Sequence, residues 1–311
     1  MESGKKISVI VPCFNEEEGL KTFNKELISA LPKTYTWEII YVNDGSSDQT
    51  LPVILDLAKE NQFVKYISFS RNFGHQNALK AGYDYASGDC AISLDADLQH
   101  PPAVIAQLIS KWEEGYEIVN TLRHDHHNIS YPKKISSGIF YQLMRKLSDI
   151  HIETGMADFR LIDKKVLKQL KLFPENFLFF RGMIPWMGFK QTIVSFTANE
   201  RFAGKTKYTF KRMVKFATTG VTAFSVKPLH ISVYLGSVIA IFAFLYGLYA
   251  VYIHFFTKQT VTGWTSVIIS VLFVGGINLL MLGIIGEYLG KLFIENKRRP
   301  NYLISETNLE E

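Results

Sequence analysis

The sequence predicts an α/β protein with a mostly parallel sheet, followed by an amphipathic interfacial helix region and two C-terminal transmembrane helices. Three observations predict it. Residues 1–122 alternate short runs that are apolar throughout with stretches of helical spacing, the pattern of strands covered on both faces by crossover helices. Thr209–Lys227 alternates basic and apolar residues at helical spacing, which suits a helix lying on a membrane surface. Ser232–Phe256 and Trp264–Leu289 are apolar stretches, each holding the roughly 20 residues that cross a bilayer core of about 30 Å. The expected divisions are 1–208, 209–228, 229–290 for the membrane hairpin and 291–311 for a tail.

The elements follow in order. Ile7–Val11 is the first strand and Glu16–Leu31 the first helical stretch; Trp37–Val42 and a helix over Gln49–Asn61 come next. Val64–Phe69, a helix over Asn77–Ala86 and the apolar run Cys90–Leu94 continue the alternation. Pro101 or Pro102 opens a helix to Glu114, since a first helical turn loses nothing by lacking an N–H. Ile118–Thr121 is a strand, Arg123–Tyr131 a polar loop and Ser136–Leu147 a helix. Ala157–Leu161 reads as a strand entering a helix at Lys164–Leu170, and Gln191–Thr197 as a further strand before the basic loop Asn199–Tyr208.

Composition narrows the function classes. The chain of 311 residues is 47% hydrophobic and 20% charged, too apolar for disorder, and its apolar excess collects after Leu229. A net charge of +5 without a long basic block speaks against nucleic acid. Lys211, Arg212, Lys215, Lys227, Lys291, Lys297, Arg298 and Arg299 instead flank the apolar stretches, as expected beside a lipid surface. The joint Thr257–Gly263 carries one lysine, so the positive-inside rule places the N-terminal domain and the tail in the cytoplasm. Cys13 and Cys90 have neither disulfide-framework nor zinc spacing and read as small core residues. A strand entered by Ile7 after a short polar lead leaves no signal peptide to expect.

The chemistry concentrates where strands end. Asp95-Ala96-Asp97 follows Cys90–Leu94 directly, and Gln99, His100, Pro101 and Pro102 come at once after it. Open α/β sheets bind ligands at the carboxyl ends of their strands, and hard divalent cations share oxygen ligands with substrate phosphates. A bare D-x-D also occurs in solvated turns, so the triplet needs its surroundings. The first strand ends in Val11-Pro12-Cys13-Phe14-Asn15-Glu16-Glu17 and the second in Val42-Asn43-Asp44-Gly45-Ser46-Ser47-Asp48. Amide and acidic groups there can accept hydrogen bonds from a base or a ribose; Asp44 is the strongest candidate, while Asp48 suits a helix cap. Neither G-x-G-x-x-G after a strand nor G-x-x-x-x-G-K-[ST] occurs, which argues against a dinucleotide oxidoreductase or a P-loop NTPase. A metal at Asp95, Asp97 and Gln99 would instead neutralise a diphosphate, as a nucleotide-sugar donor requires. His124, Asp125, His126 and His127 read as a solvated loop, and Asn128-Ile129-Ser130 as an unmodified glycosylation pattern. Trp186, Phe177, Phe179 and Phe180 are either a sugar or lipid platform or core.

Six motifs in order, V-P-C-F-N-E-E, N-D-G-S-S-D, S-R-N-F-G (Ser70–Gly74), D-A-D-L-Q-H-P-P, A-D-F-R-L and E-R-x-x-G-x-T-K-Y (Glu200–Tyr208), resemble family 2 glycosyltransferases of the polyprenyl-phosphate type. The chain is similar to dolichyl-phosphate mannose synthase and to the bacterial bactoprenol glycosyltransferases over nearly its whole length, membrane hairpin included. The resemblance implies a GT-A (Rossmann-like) domain, inversion at the anomeric carbon, and Mg²⁺ or Mn²⁺. It implies that Pro12, Asn15, Glu16, Asp44 and Asp95 bind the nucleotide and that Asp95, Asp97 and Gln99 hold the metal, Asp97 acting in catalysis. It also implies that Arg201 and Lys207 meet the acceptor phosphate and that Asp158 is a base or positioning group; Arg160 either pairs with Asp158 or joins the phosphate site. Phe180-Arg181-Gly182-Met183-Ile184-Pro185-Trp186 departs from the Q-x-x-R-W of processive synthases, against polymer synthesis.

A lipid monophosphate is a dianion near neutral pH, its second pKa being about 6, and needs a cationic clamp more than a base. The expected partners are therefore a UDP-sugar carrying glucose or N-acetylglucosamine, undecaprenyl phosphate and the bilayer. A flippase, a downstream transferase and a second copy of the chain are further candidates. A GDP-mannose-dependent synthase and a non-catalytic nucleotide-binding scaffold remain as alternatives.

Overall fold

In the computed structural model, which describes residues 4–124, 155–176, 178–198, 225–257 and 263–309, the apolar runs become strands of one sheet. Strand β1 (Lys6–Cys13) is buried at every position after its first, because helices cover both faces and leave no polar side to the pleat. Strands β2 (Thr36–Asn43), β3 (Val64–Phe69) and β4 (Cys90–Ser93) run in parallel with it, joined by helices α1 (Leu20–Ala30), α2 (Thr50–Glu60) and α3 (His75–Tyr85). Val9 and Ile10 point to opposite faces. Val9, Ile39 and Tyr41 pack with Phe23, Leu27 and Ile54 in one layer, and Ile10 packs with Leu79, Tyr83, Phe180 and Ile184 in the other.

The first helix starts at Leu20 rather than Glu16, because Asn15 takes a left-handed φ of +56° and the chain turns once before entering it. After β4, a 3₁₀ turn at Pro102–Val104 feeds α4 (Ile105–Glu113), with proline in its opening turn as expected. Strand β5 (Ile118–His124) is then separated from β4 by β6 (Met156–Asp163), which runs antiparallel to both. Helices α5 (Lys164–Leu170) and α6 (Phe180–Trp186) precede β7 (Gln191–Thr197), which pairs in parallel with β5. With a last strand β8 (Ile304–Thr307) near the end of the chain, the sheet order among the described residues is β7-β5-β6-β4-β1-β2-β3-β8.

Helices α7 (Lys227–Thr257) and α8 (Trp264–Asn296) carry the two apolar stretches. Their segments Lys227–Tyr249 and Val267–Asn296 have mean hydropathies of 2.1 and 2.5 with no part buried in the protein. Helices of this length, apolar all round and with their side chains largely exposed, suit association with a membrane. The tail then returns. Arg298 turns the chain at a φ of +48°, and β8 (Ile304–Thr307) pairs antiparallel with β3 as an edge strand that the sequence pattern does not predict. Tyr302 stacks on Phe69 with ring centroids 5.1 Å apart and its hydroxyl bonds Asp84 at 3.0 Å. The expected helix over 136–147, residues 125–131, Phe177, the loop 199–208, the interfacial segment 209–224 and residues 258–262 lie outside the described residues.

Candidate active site

The carboxyl ends of β1 and β2 are clamped together by side chains of the first two motifs. Pro12 lies buried opposite Val42 in the parallel register. Asn15 donates its backbone N–H to Ser46 Oγ at 3.0 Å, and its Oδ1 accepts the Ser47 N–H at 2.9 Å. Glu16 donates its N–H to Thr50 Oγ1 at 2.8 Å. Asp48 Oδ1 accepts the Thr50 N–H at 3.0 Å in a side-chain turn that leads into α2, whose N-cap is Gln49 and not the expected Asp48. Asp44 is buried, and its carboxylate accepts the N–H groups of Phe73 at 2.7 Å and Gly74 at 3.0 Å and the Asn72 amide at 2.9 Å. Burial pushes this carboxyl above its ordinary pKa, and the backbone N–H bonds oppose that. Asp44 thus ties the S-R-N-F-G loop to the end of β2. Gly45, at a φ of +62°, lies so close that a Cβ would sit 2.3 Å from the Arg71 carbonyl carbon.

The acidic pair follows β4. Asp95 donates its N–H to His100 Nδ1 at 3.1 Å, which puts the imidazole proton on Nε2. His100 is buried and stacks on Phe159 with centroids 5.3 Å apart, so the loop is pinned from below. Leu98 adopts a left-handed φ of +59°, and Asp97 Oδ1 accepts the Gln99 N–H at 3.1 Å, closing a short turn. The Asp95 side chain is 37% exposed at the rim. Two carboxylates two residues apart suit a hard cation that completes its shell with substrate phosphate and water. Gln99 is differently engaged: its Oε1 accepts Arg123 Nη1 at 2.9 Å. Among the described residues no group of three or more His, Cys, Asp or Glu forms a closed metal cage.

Beside the pair stands a cluster that sequence spacing does not bring together. Asp158, on β6, is buried, and Ser93 Oγ bonds its carbonyl at 2.6 Å, which locks it next to the end of β4. Its carboxylate meets Arg181 through two bonds, Nε to Oδ1 at 3.2 Å and Nη2 to Oδ2 at 2.8 Å, and Arg160 Nη2 at 3.1 Å. His75, at the start of α3, places Nε2 3.7 Å from both Asp95 Oδ1 and Asp158 Oδ2. Burial alone would raise the Asp158 pKa, but Arg181, His75 and Arg160 outweigh it and hold it well below the usual carboxylate range. A carboxylate so stabilised is a weak proton acceptor. Burial would lower the His75 pKa, yet Asp158 and Asp95 hold it above its ordinary value.

Of the two roles open to Arg160, the geometry shows the ion pair. Its guanidinium is fully buried and donates to Asp158, to the Ala157 carbonyl at 3.0 Å and to the Phe180 carbonyl at 3.1 Å. A group so enclosed offers no face to a lipid phosphate. Arg201 and Lys207 lie outside the described residues. Phe179 and Phe180 are buried in the core, whereas Trp186 is 64% exposed. His75, Arg181, Arg123 and His100 were not singled out by the sequence as site residues. The available signals were the position of His75 directly after S-R-N-F-G, of His100 directly after D-A-D-L-Q, and of Arg181 in the segment that departs from Q-x-x-R-W.

Comparison with known proteins agrees with this architecture. The family model described as Glycosyl transferase family 2 matches residues 8–171. An uncharacterized glycosyltransferase of Bacillus subtilis (strain 168) is 42% identical over 96% of this chain and 93% of its own length. The bactoprenol glucosyl transferase of Shigella phage SfV is 40% identical over 96% of this chain and 98% of its own. Among solved structures, glucosyl-3-phosphoglycerate synthase of Mycobacterium tuberculosis, in complex with phosphoglyceric acid, matches with a TM-score of 0.50 at 16% identity. That match covers 71% of this chain and 79% of the synthase, and it shows a shared fold. The same synthase has also been solved with Mn²⁺ and UDP-glucose, a form that matches with a TM-score of 0.49. With the family model spanning more than half the chain and relatives near 40% identity along almost all of it, the chain belongs to glycosyl transferase family 2.

Proposed function

We propose that this chain moves glucose from UDP-glucose to undecaprenyl phosphate at the cytoplasmic face of a membrane. The observation that carries this reading is the acidic pair at the end of β4, set in a sheet whose own edge strand β8 directly follows a membrane-length helix. That arrangement supports a reading in which donor chemistry and a membrane-held acceptor meet at one surface. The 40% identity to a bactoprenol glucosyl transferase over nearly the full length supports both the sugar and the carrier.

In this reading the β1 and β2 ends, with Pro12, Asn15, Glu16 and the loop held by Asp44, receive the nucleoside. Asp95 and Asp97 would hold Mg²⁺ or Mn²⁺, which supplies charge neutralisation for the departing diphosphate. Gln99 would join them only on releasing Arg123. A phosphate oxygen of the acceptor attacks the anomeric carbon as the bond to the UDP β-phosphate oxygen breaks, the electron pair leaves with UDP, and the configuration inverts. The acceptor is already a dianion, so no side chain has to remove a proton. Asp158 serves as a positioning carboxylate, and Arg201 and Lys207 are assigned to the acceptor phosphate. The catalytic unit is 1–208, the interfacial segment 209–228, the hairpin 229–290 and the tail 291–311.

The full chain in detergent with UDP-glucose, undecaprenyl phosphate and Mn²⁺ should release UDP only when the lipid is present, and mass spectrometry should find a hexosyl monophosphate lipid. Asp97→Ala should keep the melting temperature and lose turnover. A mannosyl product from GDP-mannose, or nucleotide binding without turnover on any sugar donor, would overturn the reading.

A further inference from the structure

We propose that the turn after α5 and the end of α6 form a membrane-contact patch of the catalytic domain. Leu172 and Trp186 enter the bilayer interface there, and Lys168 and Lys171 meet anionic headgroups. The inference rests on the membrane reading above, not on the choice of sugar or acceptor, and adds a contact that the two apolar helices do not supply.

The first argument is exposure. The Leu172 N–H bonds the Gln169 carbonyl at 3.0 Å and the Phe173 N–H the Leu170 carbonyl at 3.3 Å, so the chain leaves α5 in a tight turn. That turn sets Phe173 against the core layer holding Leu170 and Ile184 and leaves Leu172 outside, 72% exposed. Trp186, the last residue of α6, meets the Phe173 ring edge-on with centroids 5.9 Å apart and is itself exposed. Two large apolar side chains thus flank one half-buried ring at the surface. Such a group marks a contact with something apolar, and an indole, with its apolar body and polar N–H, suits the headgroup level of a bilayer.

The second argument is continuity. Leu292, Phe293 and Ile294 of α8 are exposed and lead directly to Glu295. Glu295 accepts the Asn176 backbone N–H on Oε1 at 2.9 Å and the Asn176 side-chain amide on Oε2 at 3.0 Å. Asn301, beyond α8, adds a bond from its amide to the Glu175 carbonyl at 3.1 Å. Asn176 is three residues past Phe173, so these bonds carry the exposed apolar surface of α8 across to the patch. A bilayer that covers α8 already adjoins Leu172 and Trp186. A second copy of the chain would need a separate matching surface.

The third argument is charge. The four lysines of α5 and its cap divide by position: Lys164 and Lys165 pair with Asp89 at 3.5 Å and Glu117 at 2.7 Å, whereas Lys168 and Lys171 are exposed beside Leu172. Over 168–176 the sole acid is Glu175, which is half-buried. Lys297, Arg298 and Arg299 are exposed just past α8, on the other side of the Asn176–Glu295 bonds. Lysines lay their stems along apolar surface and hold their ammonium groups at the level of acidic headgroups, so cations framing an apolar patch fit an anionic lipid surface.

The test uses the full chain in phosphatidylcholine vesicles with and without phosphatidylglycerol, prepared from ordinary lipids or from lipids brominated high on the acyl chain. Cys13 and Cys90 are buried, so Leu172→Cys takes a bimane label selectively. Two controls carry the same label: Leu279→Cys on α8, and Lys59→Cys, exposed on α2 in the opposite layer of the domain. A side chain lying some 5–10 Å into the interface should lose about half its emission or more to bromine, while the Lys59 label should change by no more than about a tenth. Quenching at Leu172 should weaken when phosphatidylglycerol is left out; equal quenching would overturn the role given to Lys168 and Lys171. Quenching at Leu279 with none at Leu172 would overturn the patch and leave the membrane reading standing, and no quenching at either would overturn both. A Leu172 label untouched by bromine yet shielded from iodide would be covered by protein, and the lipid assignment would fall to a contact between copies. Should Leu172→Cys not fold, Trp186→Cys takes the label and is judged by the same outcomes.

Discussion

With guanidinium nitrogens 2.8 and 3.1 Å from its oxygens, the Asp158 carboxylate stays ionised far into acid, and the chemistry it offers near neutrality is attraction rather than proton uptake. Its folded pKa is depressed below the unfolded value of about 3.9, so its contribution to stability is full above that value and is lost as pH falls through the folded pKa. Asp158→Asn removes the charge and leaves Arg160 buried without its counter-ion, which should cost about 3–5 kcal/mol near neutral pH. Thermal unfolding across pH should show the largest gap between wild type and Asp158→Asn above about pH 5, narrowing as pH drops below about 4. A gap that stays constant into acid would mean that the carboxylate is not the charged partner the geometry requires. At this scale the D-A-D triplet was legible because its parts are adjacent in sequence. The Asp158–Arg181–His75 cluster was not, because its members come from β6, α6 and α3 and meet only once β6 inserts beside β4.

Strands β1 to β5 announce themselves as predominantly apolar runs because both their faces are largely covered, and their observed bounds lie within a few residues of the expected ones. Direction is another matter: nothing in Met156–Asp163 says that it runs antiparallel between β4 and β5. Strand β8 is invisible for a different reason. Ile-Ser-Glu-Thr is short, mostly polar and follows a long apolar helix, and its partner β3 is some 240 residues away in sequence. Its position nonetheless bears on the site. Ser70 donates its N–H to the Leu303 carbonyl at 3.0 Å, and Ser70 opens the loop whose backbone holds Asp44 and leads to His75. Tyr302→Ala would remove the stack on Phe69 and the bond to Asp84. Together these should cost about 1–3 kcal/mol and loosen that loop. The expected outcome is a lower melting temperature together with weaker UDP binding by calorimetry. Tyr302→Phe, which keeps the stack, should retain most of both; equal losses in the two variants would show that the ring contact contributes nothing.

A strand cannot pair across a bilayer, so β8 fixes a relation that no single span could. The catalytic sheet and the tail share the β3–β8 pairing, so in the proposed membrane-bound protein they lie on one side of the bilayer and the crossings between them are even in number. Two apolar helices meet that requirement, and their lengths of 31 and 33 residues, roughly 46 and 50 Å at 1.5 Å per residue, exceed the hydrocarbon core and leave turns on either side for the interface. One such turn, at the end of α8, holds Glu295 against Asn176, so the hairpin is bonded to the catalytic domain where it leaves the membrane. The proposed orientation, with that shared side in the cytoplasm, rests on the basic residues at both outer flanks. Cys13 and Cys90 are buried, which leaves introduced cysteines as the reactive thiols for mapping. Thr260→Cys, between the helices, should take an impermeant maleimide in intact cells. Glu306→Cys, on the exposed face of β8, should take it only in inside-out vesicles. Labelling of both positions from one side would mean that α8 does not cross the bilayer, which would overturn the two-span topology.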